Sequence, residues 1–369
     1  MLLNTAVESF SLDRKVVQCA GGMEIPYDVL VVATGSVAVM PDIPGIDLKG
    51  VFVLKNLVDA LAIKAFLRDK QCRKAIIAGT GFIGLEMCEA FRTLGMEASA
   101  LDLLPRPAIR WDEEFSERML EVFEKNQVAF SPGTRIQSIR PGKKDHLQVV
   151  TDRGTMEGDI VLLALGVKPD IRLAQRMGLK IGNAGAIAVN SAQETSVEGI
   201  YAAGDCCESF HRVSRRWVYL PLGDVANKQG RIAGANIGGK ARVFPGIVGA
   251  QSFKFFDLEI AATGLNEHEA RDSGFDPVSI TIWGNAIAPS MSTKKVGVKL
   301  IADRSNGRLL GGQAVGETGA VSRVNLLSAA LWAGMHIDDL MYMDQAYSPP
   351  YSGVWDVVHV AAQALKRQL

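Results

Sequence analysis

Lys74-Ala-Ile-Ile-Ala-Gly-Thr-Gly-Phe-Ile-Gly84 is the stretch from which the rest of the chain is read. Lys74–Ala78 has the short apolar run of a buried strand. Gly79, Gly81 and Gly84 follow in Gly-x-Gly-x-x-Gly spacing. Ile83–Leu94 then repeats apolar residues at helical intervals, and Ile83, Met87, Ala90, Phe91 and Leu94 are expected on one face. Gly95 is placed to end that helix. A second strand, Ala98–Leu101, leads to Asp102, 18 residues after Gly84. Strand, glycine turn, helix, strand and acid, in that order, form the context of a dinucleotide site. Gly79 permits the tight turn, Gly81 lets backbone approach a pyrophosphate, and Gly84 lets the helix pack on the strand. Free N–H groups at the helix start would face the phosphates. A glycine turn that serves packing alone is the competing reading.

Asp102 can accept hydrogen bonds from a ribose diol and would repel a 2′-phosphate, which favours NADH over NADPH. Arg106 and Arg110 follow closely. Pairing with a phosphate would reverse that preference; a solvated loop is the simpler expectation for both.

Outward from this stretch lies an internal repeat. Tyr27-Asp-Val-Leu-Val-Val-Ala-Thr-Gly35 and Gly158-Asp-Ile-Val-Leu-Leu-Ala-Leu-Gly166 are near-copies, each an apolar strand ending in Ala-x-Gly. Hairpin-like stretches, Val16–Ile25 and Leu147–Met156, precede them. Repetition of this kind signals a duplicated unit. Gly79 precedes Asp159 by 80 residues, and the same distance counted back from Asp28 passes Met1 by about 50. The expectation is a two-nucleotide protein whose first phosphate loop, and the strand before it, lie outside this sequence. The first sheet would then expose apolar edges, with a cost in stability and a tendency to aggregate.

Composition narrows the class. The chain has 369 residues, room for two or three domains, and its 37 glycines suit an α/β protein with many tight turns. Forty basic and forty acidic residues cancel, so no charge block marks a nucleic-acid partner. No signal peptide and no apolar run of about 18 residues is present, so no membrane partner is expected. Five cysteines, an odd number without Cys-x-x-Cys, suit a reducing cytoplasm. His146, His211, His268, His336 and His359 lack metal-ligand spacing, and no metal is expected.

Thr195-Ser-Val-Glu-Gly-Ile-Tyr-Ala-Ala-Gly-Asp205 reads as a turn, a short strand and an acid at the strand's carboxyl end. That is where open α/β sheets bind ligands, and Asp205 suits a polyol hydroxyl. Leu222–Gly230 opens a second glycine-rich helix, Val225–Ile237, whose N-terminus can face developing negative charge. Asp224, at or beside its start, is expected to cap it.

Ala33-Thr-Gly35, Gly79–Gly84, Ala164-Leu-Gly-Val-Lys-Pro169 and Gly204-Asp205 together resemble the pyridine nucleotide–disulfide oxidoreductases. Ala226-Asn-Lys-Gln-Gly-Arg231 and Ala346-Tyr-Ser-Pro-Pro-Tyr-Ser352 narrow the resemblance to coenzyme A-disulfide reductases, NADH oxidases and persulfide reductases, over essentially the whole chain. The resemblance implies two Rossmann-like domains, the first incomplete, and a C-terminal α+β dimerisation domain. It puts the FAD domain at about residues 1–68 and 190–240, the NAD domain at 69–189 and the dimerisation domain at 244–369. Thr34 and Gly35 would lie near FAD, with Gly166 as their counterpart in the second copy. Gly204 and Asp205 would hold the ribitol chain, and backbone at Ala226 would touch the flavin's pyrimidine edge. Phe82 would cover the flavin ring and swing aside for nicotinamide, which Glu86 would contact. Against this, Phe82 reads equally as a core aromatic, and Glu86 as a first-turn acid. Tyr347 and Tyr351 would reach a partner subunit's active site, or form a proline-rich interface turn.

Relatives of this kind carry a redox cysteine near a first glycine loop. No cysteine here takes that role by motif: Cys19, Cys72, Cys88, Cys206 and Cys207 read as packing or incidental residues. In the C-terminal region, Gly249–Phe256, Pro277–Ile282 and Val296–Ala302 read as antiparallel strands. Asn266–Ser273 and Ala320–Ala333 read as helices, the latter with a small-residue face of Asn325, Ala329, Ala330 and Ala333. The function this implies is a homodimeric FAD enzyme that passes hydride from NADH to a disulfide, a persulfide or oxygen. The alternative is a dimeric NADH-binding module without flavin.

Overall fold

The computed structural model describes residues 1–143 and 146–369. The chain divides into two compact units, Met1–Val37 with Val167–Ile247, and Ala38–Gly166 with Val248–Leu369.

In the larger unit, five parallel strands lie in the order Val51–Val53, Ile160–Leu163, Lys74–Ala78, Glu97–Leu101, Val128–Ser131. Helices Phe82–Thr93 and Glu113–Lys125 make the crossovers on one side of Lys74–Ala78. The chain then leaves through a three-stranded antiparallel sheet, Ile136–Pro141, Leu147–Thr151 and Gly154–Gly158, and returns to the other side. Strand order therefore reverses beside Lys74–Ala78, the position where such sheets open a crevice at their carboxyl ends. Ile160–Leu163 is buried along its length because it has a neighbour on each edge. Val51–Val53, which the resemblance puts in the first nucleotide domain, is one of those neighbours.

Helix Phe82–Thr93 buries Gly84, Leu85, Cys88 and Phe91, whereas Leu94 is 64% exposed. The inward stripe is thus rotated from the expected one: Phe91 is common to both, and Met87 packs partly buried against the same core. Gly84 sets the rotation, since it must meet the glycine turn. Gly95 follows the C-cap Leu94 with φ +78°, and backbone bonds Gly95 N to Arg92 O and Met96 N to Phe91 O close the helix as expected.

The same unit carries a five-stranded antiparallel sheet, ordered Gln251–Phe255, Leu258–Gly264, Leu309–Gly316, Lys295–Asp303, Pro277–Asn285. Leu258–Gly264 and Leu309–Gly316 are absent from the sequence reading. Helix Ala320–Ala333 presents Arg323, Val324, Leu327, Ala330 and Leu331 inward and leaves Asn325, Ala329 and Ala333 exposed. Trp111, Phe115 and Phe123 share one core with Phe253, Phe255 and Leu258, so both sheets close around a single apolar cluster.

The smaller unit begins with a three-stranded antiparallel sheet, Val7–Ser11, Val16–Cys19 and Glu24–Pro26. Leu30–Val32 follows and pairs in parallel with Ile200–Ala202. The order, an antiparallel three-stranded sheet and then a strand joining a parallel sheet, repeats that of residues 136–163. Val32, Ile187, Ile200, Ala202 and Cys206 anchor its core, and helix Gly223–Ile237 completes it.

Two candidate nucleotide sites

In the larger unit the glycine loop is a close-packed backbone crossing. Gly79 has φ +97°, and a Cβ there would stand 2.3 Å from Ala164 O. Gly84 is tighter still, with 1.9 Å to Gly79 O. Glycine at these two positions is a steric requirement. Gly81, by contrast, faces open space at φ −75° and is the N-cap of a helix that no side chain caps. The donors left over at that terminus are available to an anion. Ala164-Leu-Gly166, the end of the second repeat, presses on Gly79 from the neighbouring strand, and Gly166 turns away at φ +95°.

Asp102 does more than the sequence suggested. Its Oδ2 accepts from Thr80 N and Thr80 Oγ1, both at 2.7 Å, and its Oδ1 accepts from Leu104 N at 2.9 Å. The acid at the end of one strand thereby ties down the glycine loop at the end of the next. Two lone-pair directions per oxygen leave room for a ribose hydroxyl as well. Thr80, fully buried, was not singled out in the sequence; a hydroxyl inside a glycine triplet was its only signal.

Phe82 is half-buried, stacked on Phe253 at 4.8 Å and edge-on to Trp111 at 5.6 Å. Glu86 is exposed, with its carboxyl raised from the ordinary value, by desolvation first and by the Glu89 charge second. Glu89 itself is occupied, bound to Lys254 Nζ at 2.6 Å and to Phe256 N at 2.7 Å. Arg110 is no solvated loop residue. It pairs with Glu269 at 3.2 Å and donates to Gly264 O at 3.1 Å, because the loop is drawn onto the antiparallel sheet.

In the smaller unit, Gly204 (φ +88°) and Asp205 follow strand Ile200–Ala202 at its carboxyl end. Asp205 Oδ2 accepts from Ser36 Oγ at 2.8 Å, and Thr34 Oγ1 donates to Asp170 O at 2.6 Å. Gly35 turns at φ +71° with open space around its Cα. A Cβ at Gly204 would touch Ala226 Cβ at 3.5 Å, so the start of helix Gly223–Ile237 lies against the acid-bearing turn. Asp224 does not cap that helix. The N-cap is Leu222, which leaves the terminus without a side-chain cap, and Asp224 pairs outward with Lys228 at 2.8 Å. Gln229, 1% exposed, organises the turn: its Oε1 accepts from Gly204 N at 2.8 Å and its Nε2 donates to Ser209 Oγ at 3.0 Å. The run Ala226-Asn-Lys-Gln-Gly-Arg231 was its only sequence signal.

All five cysteines are unpaired thiols. Cys206 and Cys207 are buried and donate to carbonyl oxygens of Ala203 and Gly204. Burial pushes the Cys88 thiol up to about 12, which keeps it inert. Tyr347 and Tyr351 are 50% and 77% exposed near the C-terminus, next to exposed Val354 and Trp355.

A dinucleotide loop in one unit and an acid-bearing strand end beside an uncapped helix in the other define an α/β nucleotide-dependent protein. Known proteins agree. Residues 1–230 match the pyridine nucleotide-disulphide oxidoreductase model, and residues 250–358 match that family's dimerisation domain. The NAD(P)H sulfur oxidoreductase (CoA-dependent) of Pyrococcus furiosus is 37% identical over 92% of this chain and 77% of its own. An NADH oxidase of Methanocaldococcus jannaschii is 32% identical over 93% and 77%. The structure of an NAD-dependent persulfide reductase from A. fulgidus superposes with a TM-score of 0.94 at 36% identity, covering 99% of this chain and 68% of that one. The chain belongs to the pyridine nucleotide-disulphide oxidoreductase family, whose cofactors are FAD and NAD(P). The carboxylate, hydroxyls and uncapped helix of the smaller unit fit a polyol-bearing dinucleotide such as FAD. No helix among the described residues is long and apolar enough to cross a membrane.

Proposed function

We propose that this protein is a homodimeric, cytoplasmic oxidoreductase that carries hydride equivalents from NADH through FAD to a small disulfide, a persulfide or oxygen. The observation that carries the reading is the glycine loop, in which two of three glycines are sterically obligatory and the third opens onto an uncapped helix.

Gly79, Gly81 and Gly84 shape the cradle for the NADH pyrophosphate, and Asp102 takes a ribose hydroxyl on its one remaining lone pair while holding Thr80 in place. Glu86 orients the nicotinamide amide from the second turn of the same helix. Phe82 gates that position, and its stacking on Phe253 gives the ring a defined resting place. Thr34, Gly35, Gly204 and Asp205 hold the polyol side of FAD, and Gly166 completes the Ala-x-Gly turn on the NAD side. FAD, when bound, supplies the two-electron chemistry between nicotinamide and acceptor. The open backbone N–H groups of the first turn, at Gly223, Asp224 and Val225, favour negative charge on a ring edge that lies against the helix start, and Ala226 N itself is bound to Leu222 O at 2.9 Å. Names of relatives support all three acceptors: a coenzyme A disulfide reductase, a persulfide reductase and a water-forming NADH oxidase. Five unpaired thiols support a reducing compartment. The exposed face of Asn325, Ala329 and Ala333 and the exposed Tyr347 and Tyr351 support pairing of two copies through residues 244–369.

The test is a visible absorption spectrum of the purified chain supplied with FAD, followed by anaerobic addition of NADH. A flavin spectrum that bleaches supports the proposal. NADH binding with no flavin retained would favour the flavin-free module.

A further inference from the structure

We propose that Tyr219 is a further binding residue of the smaller unit's site, its phenol O–H donating to a hydroxyl of the polyol chain that itself donates to Asp205. The inference rests on the reading of that turn as a flavin site and deepens it.

Tyr219 is aimed by a two-residue alternation. It follows strand Arg216–Val218, which forms a hairpin with Ser209–His211, and it precedes helix Gly223–Ile237, whose N-cap is Leu222. Pro221 biases Leu220 toward extended backbone. Val218, Leu220 and Leu222 all pack against the apolar cluster of Val225, Phe244 and Ile247. Successive side chains of an extended chain point to opposite faces, so Tyr219, between Val218 and Leu220, is turned away from that cluster. What it meets instead is the acid-bearing turn. Its ring is half-buried, and its hydroxyl oxygen is shut off from solvent without a hydrogen-bond partner. Burial first and the Asp205 charge second push the phenol up to about 12, with Ser36 and Cys206 also acting on it. Ser36, the nearby hydroxyl, gives its own proton to Asp205 at 2.8 Å.

A buried O–H without an acceptor is an unsatisfied group, and native structures rarely keep one without a reason. The roles of its neighbours say which acceptor it lacks. A carboxylate only accepts, so a ligand hydroxyl that donates to Asp205 keeps two lone pairs, and the phenol offers a donor to one of them. A phosphate would accept from Tyr219 as well, but the Asp205 carboxylate beside it repels a second anion. Acid and phenol together select a neutral hydroxyl chain, one hydroxyl bridging the two. With its acidity so suppressed, the phenol remains a donor throughout the physiological range.

The experiment is calorimetric titration of the flavin-free, full-length chain with FAD, paired with urea unfolding of the same flavin-free chain. Tyr219→Phe keeps the ring and deletes the hydroxyl. It should weaken FAD by about three- to tenfold, the range of one neutral hydrogen bond. NADH affinity should not change, since the glycine loop belongs to the other unit. Without flavin, Tyr219→Phe should hold or raise the urea midpoint, because it no longer buries an unsatisfied group. The two effects have opposite signs, whereas a hydroxyl that merely braced the hairpin would lower affinity and midpoint together. A variant that binds FAD as wild type does, or that unfolds at lower urea, overturns the inference and leaves the flavin reading standing. Wild type that binds NADH but no FAD overturns the flavin reading and this inference with it.

Discussion

Gly84 and Gly81 occupy the same motif for different reasons, and the difference is measurable. At Gly84 an added methyl meets the backbone oxygen of Gly79 at 1.9 Å, and neither backbone can yield without shifting a strand end. At Gly81 the added methyl meets nothing, and φ −75° suits any residue. Gly84→Ala should therefore cost about 1–3 kcal/mol in urea denaturation and abolish NADH binding, as overpacking does in a close-packed core. Gly81→Ala should keep stability within about 0.5 kcal/mol and still weaken NADH, because the methyl takes the space of the pyrophosphate. Equal unfolding midpoints for the two variants would refute the packing account. At this scale much was legible in the sequence. The glycine spacing encodes the crossing, and Asp102 stands where the motif demands an acid. The tie from Asp102 to Thr80 was not legible, since it depends on a hydroxyl's orientation. Asp224 misled because the helix begins two residues earlier than its sequence pattern suggests, which leaves the N-cap to Leu222.

Among the elements, Lys299 on strand Lys295–Asp303 is the residue on which several meet. Only 4% exposed, it contacts Asp112 at 3.1 Å, Glu114 at 2.9 Å and Glu267 at 2.8 Å, and so draws two helix starts onto the sheet. Burial alone would raise the Glu267 carboxyl, but hydrogen bonds from Lys299 and Ser279 and the lysine charge outweigh it and hold the group at about 2. Asp112 shifts the other way, because its burial exceeds the pull of Lys299. The signs follow. Glu267 contributes stability that is full above its ordinary range near 4.5 and is lost as pH falls through about 2. Asp112 opposes folding once ionised and is relieved as pH falls. Lys299→Met strands three carboxylates, at a cost of about 2–4 kcal/mol at pH 7 once their partial exposure is discounted. Protonation relieves that cost, so the penalty should shrink toward pH 4. A penalty equal at pH 7 and pH 4 in urea denaturation would mean that lost packing, not charge, is responsible. This cluster was invisible in the sequence, because Asp112 and Lys299 are far apart along it and only the fold joins them. Strands Leu258–Gly264 and Leu309–Gly316 escaped for a related reason. Both are buried on both faces, so neither shows the alternation that marks a half-exposed strand.

Across the whole molecule, the repeat legible in the sequence is a repeat in space, and its two copies differ in how their strands are covered. Ile160–Leu163 has a parallel neighbour on each edge and is fully buried. Leu30–Val32 pairs only with Ile200–Ala202 among the described residues, and Val31 is 41% exposed. Beside it lies a trough of about 570 Å³, bordered by the apolar Val7, Phe10, Val17, Val31, Leu173 and Met177 and by the charged Asp170, Arg172 and Arg176. An exposed apolar strand edge offers both unpaired backbone groups and dry surface, the combination that promotes edge-to-edge association. This chain should bind a hydrophobic dye such as ANS in the native state and scatter more light as its concentration rises. Val31→Lys places a charge on that edge, the device natural sheets use against association. It should lower both signals and leave NADH affinity unchanged, since the glycine loop belongs to the other unit. If dye binding and scattering persist in Val31→Lys at wild-type levels, the association arises on another surface. The exposed residues Tyr342, Tyr351, Val354 and Trp355 of the C-terminal region would then be the next to substitute.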